Sequence, residues 1–393
     1  QGDINLDALT VSSSFLSARG SGNMDAMSLN LKANIGAALA ELRQFIDIGK
    51  LASTGALDLS LQIDSESANL RNVSGNLKVD GFELKDGKTT ISPKDSLELN
   101  FASSLQMDST SQPQKVGPST VRFNSWLGEG SINFNSLSPA HEEKAAVLSG
   151  LIFQGKLDLV PVTTLLHALE KLPKEQKLSG PANLMATLSG KDLDHPAISV
   201  ELDIAPFTYS QGDTSFSEEK LRVALEAEAD IPGKNYNVKK LDVATKPVKL
   251  AGSAALLSKD NEQSAQVDGT STTDLSELSG LLQKFMDLQL TMTGVSETPF
   301  NLKSRTSGGE WKDIAKNTEL TTSLQAESIN GYGLSIEALT LPVKLQGAIG
   351  EIDLQAKVNR GAMQLKPKVD FSGDFPVASL PENSEIFREV GLT

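Results

Sequence analysis

Hydrophobic and polar residues alternate along this chain almost from end to end. Leu57-Asp58-Leu59-Ser60-Leu61-Gln62-Ile63, Ile198-Ser199-Val200-Glu201-Leu202-Asp203-Ile204 and Ile352-Asp353-Leu354-Gln355-Ala356-Lys357-Val358 show the pattern. Successive side chains of a β-strand point to opposite faces, so the alternation predicts strands with one aliphatic and one polar face. The same reading places Leu97, Leu99 and Phe101 on an aliphatic face, with Val121 and Phe123 and with Leu184 and Leu188. It does so again for Leu221, Val223 and Leu225, for Val248 and Leu250, for Leu288 and Leu290, and for Val343 and Leu345. A mostly-β chain follows. The functional question is what the aliphatic face touches: a second sheet, as in a sandwich or solenoid core, or a guest molecule.

Helical patterns interrupt the strands. Val162, Leu165, Leu166, Leu169 and Leu172 fall on one 3.6-residue stripe, with Pro161 at the opening turn and Pro173 as a stop. A second stripe runs from Gly36 to Ile46 through Leu39, Leu42 and Phe45. A third follows Thr273-Asp274, with Glu277 as a capping-box partner and Leu275, Leu278, Leu282 and Phe285 on its stripe. A fourth is expected between Pro381 and Val390. The first three each lead into an alternating strand, two of them through Gly55 and Gly180, while the third junction carries no such glycine near 287. A degenerate long-period repeat results, with modules at about 1–34, 35–160, 161–272, 273–376 and 377–393.

Tight turns are predicted at Asp86-Gly87, Gly190-Lys191, Gly212-Asp213, Pro232-Gly233, Asp268-Gly269 and Asn330-Gly331, and hairpins imply antiparallel neighbours. Ser109 to Pro118 reads as a long loop, and Gly20-Ser21-Gly22 as a short one. The chain lacks a starting Met and opens and closes in mid-pattern, which reads as a fragment of something longer.

Composition narrows the function. Of 393 residues, 39% are hydrophobic and only 5% aromatic, so the apolar faces are built from Leu, Val, Ile and Ala. The net charge of −14 argues against nucleic acid and against anionic headgroups, which need Lys and Arg. No run approaches the roughly 20 apolar residues of a membrane span. Cysteine is absent, which excludes disulfides and thiolate metal sites and suits an oxidising compartment.

Catalytic chemistry has no foothold in the motifs. His141, His167 and His195 have no partner at metal-ligand spacing and read as solvated side chains. No nucleophile elbow, P-loop or dinucleotide fingerprint is present. Glu142-Glu143 and Glu218-Glu219 read as solvated acidic faces, and Asn72-Val73-Ser74 is a chance sequon. The reading is of a protein that is not an enzyme and needs no cofactor.

The run Leu165-Leu166-His167-Ala168-Leu169, then Leu178-Ser179-Gly180-Pro181-Ala182-Asn183-Leu184-Met185-Ala186-Thr187-Leu188-Ser189-Gly190, resembles the AsmA-like repeat proteins of Gram-negative bacteria, TamB-type proteins included. The pattern recurs more weakly at Ser53-Thr54-Gly55 and between Asp274 and Gly294. The resemblance implies a long, curled antiparallel β-sheet, a U-shaped groove lined by the aliphatic residues named above and capped by short amphipathic helices. It further implies a periplasmic segment of a protein anchored in the inner membrane outside this chain. Such a protein conducts phospholipids between inner and outer membranes and supports outer-membrane integrity. Acyl chains are the expected partners, with outer-membrane or other envelope proteins beside them. The competing expectation is a structural or assembly module: a β-solenoid stalk, or a factor that pairs its edge strand with client β-segments.

Overall fold

The computed structural model describes residues 6–23, 25–46, 51–86, 89–92, 95–109, 112–138, 147–190, 192–259, 262–286, 289–306, 317–358, 361–370, 377–381 and 387–388. The chain divides into two compact units, Gln1–Pro196 and Ala197–Thr393. Every strand pair with an established register is antiparallel, as the turn chemistry predicts.

The first unit contains β1 (Leu6–Ser12), β2 (Leu16–Gly22), β3 (Ala26–Asn34), α1 (Ile35–Leu42), β4 (Leu51–Ser67), β5 (Leu70–Asp86), β6 (Thr89–Ile91), β7 (Leu97–Met107) and β8 (Pro113–Ser125). It continues with β9 (Gly128–Phe134), β10 (Ser136–Ser138), β11 (Val147–Ser149), β12 (Leu151–Asp158), α2 (Leu159–Ala168), β13 (Gln176–Ser179) and β14 (Pro181–Gly190). The main pairing runs in a line: β1, β2, β3, β4, β5, β7, β8, β9, β12, β14.

The second unit contains β15 (Pro196–Ile204), β16 (Phe207–Gln211), β17 (Thr214–Glu218), β18 (Leu221–Asp230), β19 (Asn235–Ala244), β20 (Val248–Lys259), β21 (Glu262–Asp274), α3 (Leu275–Met286) and β22 (Leu290–Thr293). After these come β23 (Val295–Thr306), β24 (Thr318–Gly331), β25 (Leu334–Gln346), β26 (Ile349–Ile352), β27 (Leu354–Val358), β28 (Gly361–Leu365), β29 (Lys368–Asp370), β30 (Val377–Ser379) and β31 (Phe387–Arg388). Here β15, β18, β19, β20, β21, β23, β24 and β25 pair in order, and the far edge splits between β26–β29–β30 and β27–β28–β31. The hairpin β16–β17 pairs strand to strand, with Tyr209 opposite Phe216.

All three helices grow from one kind of junction. The last residue of a strand caps the helix: the Asn34 side chain accepts the Ala37 N–H, Asp158 the Val160 N–H, and Asp274 the Ser276 and Glu277 N–H groups. Each cap pairs across the ladder with Ala56, Pro181 or Val295, the residue after a glycine of positive φ: Gly55 at 138°, Gly180 at 126° and Gly294 at 103°. The Leu159 and Leu275 N–H groups donate to the Gly180 and Gly294 carbonyls, both at 3.0 Å. A side chain on Gly294 would run into Glu327 at 2.8 Å, and positive φ is costly for any other residue. The third junction therefore does carry its glycine, beyond the helix-to-strand boundary where the sequence pattern suggested it was missing.

Several local expectations are corrected. α2 opens at Leu159 rather than Val162 because Asp158 supplies the cap, and it ends at Ala168 with Leu169 as C-cap. Asp268-Gly269 is no turn: both residues lie inside β21, paired with Ser253-Gly252 and Phe300-Asn301. The hairpin near Asn330-Gly331 turns one step later, at Tyr332 (φ 51°) and Gly333 (φ 77°), a two-residue turn with both residues left-handed. Residues 113–118 belong to β8, and Gly20-Ser21-Gly22 ends β2. Phe387–Arg388, inside the expected fourth helix, pairs as a strand with β28, while residues 382–386 and 389–390 lie outside the described residues.

Candidate functional site

Register decides which side chains meet. In the first unit one row crosses ten strands: Val11, Ala18, Leu31, Leu59, Leu77, Leu99, Phe123, Gly130, Gly155 and Leu184. The adjacent row runs Leu29, Leu61, Gly75, Phe101, Val121, Ile132, Phe153 and Ala186. Leu57 with Val79 and Leu97, Ile63 with Val73, and Leu188 with Leu151 extend the same face. Cross-strand neighbours stand about 5 Å apart, so these rows form continuous aliphatic ribbons.

In the second unit the longest row is Ile198, Ala227, Val238, Ala254, Val267, Leu302, Leu320, Leu345, Gly350, Val369 and Ala378. Beside it run Val200, Leu225, Leu241, Gly252, Gly269 and Phe300, and then Leu202, Val223, Val243 and Leu250. Ile204 pairs Leu221, and Val343 pairs Ile352. Val248 lies two residues before Leu250 on its strand and shares its face. The expected aliphatic residues of these strands thus fall into shared rows, whereas Val358, with Leu290 and Leu354 against it, belongs to a buried cluster. Leu288 lies outside the described residues.

The rows contain members that sequence reading passed over. Leu29, Leu77, Val267 and Leu302 alternate with polar residues and were legible. The glycines were not, because glycine carries no hydrophobic signal. Three of them seat aromatic rings: a side chain on Gly75 would meet the Phe101 ring at 2.5 Å, on Gly130 the Phe123 ring at 2.6 Å, and on Gly269 the Phe300 ring at 2.5 Å. A ring lying over a cross-strand glycine covers the weak spot that glycine makes in a strand. Phe123 also stacks on Phe153, with centroids 6.0 Å apart.

Most of this face is only half-buried; the described apolar residues that are fully buried are few, and six of them form one cluster. That cluster lies under α3. Leu275 and Val358 are each 1% exposed and pack with Met292, Ala326, Leu339 and Ala356, while Leu278, Leu282, Leu290, Leu354 and Ile336 close around them. α1 buries no residue, and α2 buries only Thr163, whose hydroxyl donates to the Leu178 carbonyl at 2.8 Å. The helices are thus seated unequally: α3 sits on a buried apolar cluster, whereas α1 and α2 pack on their strands with little of their own surface buried.

The opposite face is polar and holds shallow depressions. One, of about 570 Å³, is lined by Asn30, Ser60, Gln62, Asn76, Asn100 and Arg122 among others. A second, of about 960 Å³, lies beside Gln266, Lys303, Arg305 and Glu319. Ion pairs are spread over this surface, as between Lys32 and Asp58 at 3.1 Å and between Lys368 and Glu351 at 2.8 Å. Guanidinium Arg71, 7% exposed, is held by Asp25, Ser65 and the Ser67 carbonyl, and so pins the turn between β4 and β5.

The two described histidines are each held by a local partner. His167 Nε2 sits 2.6 Å from the Gln176 carbonyl, and His195 Nδ1 lies 2.7 Å from Asp192, whose carboxyl that bond holds below the usual aspartate range. His141 and Glu142-Glu143 lie outside the described residues. Among the described residues no cluster of three or more His, Cys, Asp or Glu side chains is placed to hold a metal ion, and no helix is long and apolar enough to cross a membrane. One acid departs from expectation. Glu219 is exposed, but Glu218 is only 4% exposed, because β17 turns it inward toward the loop at Lys246.

Comparison with family models, with curated proteins and with solved structures finds no match to this chain.

Proposed function

We propose that the aliphatic face carries phospholipid acyl chains, and that this chain is a periplasmic segment of a longer, inner-membrane-anchored protein that moves lipids toward the outer membrane. The segment's sheet would curl into a groove around the guest, as in the AsmA-like proteins it resembles. The observation that supports this reading is the half-exposed state of rows that run unbroken across eight to eleven strands. Rows left half-exposed over so many strands form an apolar face, and soluble monomers rarely leave more than a few hundred Å² of contiguous apolar surface without a partner.

The chemistry of the rows suits a sliding, non-specific guest. Each methylene removed from water contributes about 0.8 kcal/mol, and the rows offer aliphatic contact without an inward charge to interrupt it. No single residue dominates, so an acyl chain would meet nearly even affinity along its path. The polar face, with its paired charges, keeps the sheet soluble.

Detergent-free purification from a Gram-negative host, followed by lipid mass spectrometry, tests the proposal. Stoichiometric phospholipid is expected. Protein that repeatedly comes out free of lipid and detergent, while folded, refutes it. A second reading, strand pairing with a client β-segment, is favoured by one feature: Leu9 and Val11 on edge strand β1 are 39% and 44% exposed at the ends of aliphatic rows.

A further inference from the structure

We infer that the cleft between the β16–β17 hairpin and α3 binds a small zwitterion, a ligand with one ammonium group and one phosphate or carboxylate. The cleft, of about 260 Å³, is lined by Phe216, Ser217, Glu218, Lys246, Glu277 and Lys284, with Ser276 and Gly280 at its helical wall. It lies wholly within the second unit, where Tyr209 on the hairpin meets Phe285 on α3, ring centroids 5.9 Å apart.

Glu218 carries the inference. It is 4% exposed, and its Oε2 accepts the Lys246 backbone N–H at 3.0 Å. Its Oε1 is buried with no hydrogen-bond partner among the described residues. A buried polar atom left unpaired is rare and costly, and an ionised carboxylate accepts only, so the missing partner is a donor. A cationic donor answers both the hydrogen bond and the buried charge.

Two of the neighbouring cations already form ion pairs. Lys246 Nζ pairs with Glu277 Oε1 at 2.6 Å, and Lys220 Nζ with Asp203 at 3.0 Å. Lys284, in the last turn of α3, is exposed and makes no ion pair among the described residues. The cleft thus offers one buried acceptor without a hydrogen-bond partner and one cation without an ion pair among the described residues, together with the Lys246–Glu277 pair. A ligand carrying an ammonium for Glu218 and an anion for Lys284 complements both. Two sources share that chemistry: the phosphoethanolamine headgroup of a lipid, and a free amino acid. The inference does not depend on acyl chains lying along the aliphatic face.

The test is calorimetric titration of the full chain with O-phosphoethanolamine, with ethanolamine and inorganic phosphate as half-ligands and glycine as the amino-acid probe. Saturable binding of phosphoethanolamine or glycine, tighter than either half-ligand, is expected, and the order of the two identifies the source. Glu218→Gln keeps an acceptor for the Lys246 N–H and removes the charge, and should weaken binding of the zwitterion and of ethanolamine at least tenfold. Lys284→Gln, a surface change, should weaken the zwitterion severalfold and leave ethanolamine unaffected. Absence of binding by any probe, which would leave Oε1 to water alone, overturns the inference. So does a Glu218→Gln variant of unchanged affinity. Should Glu218→Gln fail to fold, the Lys284→Gln comparison decides: equal loss, or no loss, for zwitterion and ethanolamine counts against the site.

Discussion

Replacing a leucine of the aliphatic face by aspartate separates an open surface from a sealed core, and two positions in the second unit make the comparison internal. Leu225 stands half-buried between Val200 and Leu241, outside the buried cluster under α3. Leu339 is 6% exposed and packs under α3 against Leu275 and its neighbours. Full burial of a leucine is worth about 1.5–3 kcal/mol, and Leu225 realises only part of that. Its carboxylate replacement can stay hydrated, so Leu225→Asp should cost about 1–2 kcal/mol. Leu339→Asp forfeits the transfer and cavity terms, about 2–5 kcal/mol, and strands a carboxylate away from water. The total approaches the roughly 5–15 kcal/mol that stabilises a whole domain. Long repeat arrays unfold without a single transition, so amide exchange at 221–230 and 334–346 should accompany urea unfolding. Leu225→Asp is expected to keep protection in both segments with a modestly lower midpoint, and Leu339→Asp to lose protection around α3. Equal and severe losses in both would show that the face around Leu225 is a closed core, and would refute the open-surface reasoning.

Other consequences are equally direct. Gly75→Val drives a side chain into the Phe101 ring and the Ser60 carbonyl, at 2.5 and 2.6 Å already for its first carbon, and should destabilise by about 1–3 kcal/mol in thermal melts. Gly280→Ala meets nothing within 4 Å on α3 and should instead stabilise by about 0.5–1 kcal/mol; the reverse order in a melt would contradict the assigned packing. Asp274→Ala removes the α3 cap and should cost about 0.5–2 kcal/mol, with faster exchange at Ser276 and Glu277. The Lys246 ammonium is held above the usual lysine range, first by its bond to Glu277 and then by the nearby acids. A raised value means a contribution complete below the ordinary lysine value and lost as pH rises through the folded one. Stability should therefore fall at high alkaline pH with a component that Glu277→Gln removes; a Glu277→Gln curve superimposable on the parent's would disprove it.

The alternation of Leu, Val and Ile with polar residues determined the fold class and the membership of each face, because a strand has a side-chain period of two whatever it packs against. The Leu57–Ile63 and Ile198–Ile204 runs were readable for that reason, as were three amphipathic stripes and the Asp274 cap. What the sequence could not reveal is set by partners distant along the chain. Gly269 looks like a turn residue until Phe300 is laid across it. Gly294 looks unrelated to Gly55 and Gly180 until the Asp274–Val295 pair aligns them. Glu218 and Glu219 are indistinguishable as letters, yet the loop at Lys246 takes one out of water and leaves the other in it. The unequal seating of the helices was also invisible, since α1, α2 and α3 are all amphipathic. Which stripe finds Met292, Ala326 and Leu339 beneath it depends on strand order, and strand order is a property of the folded sheet alone.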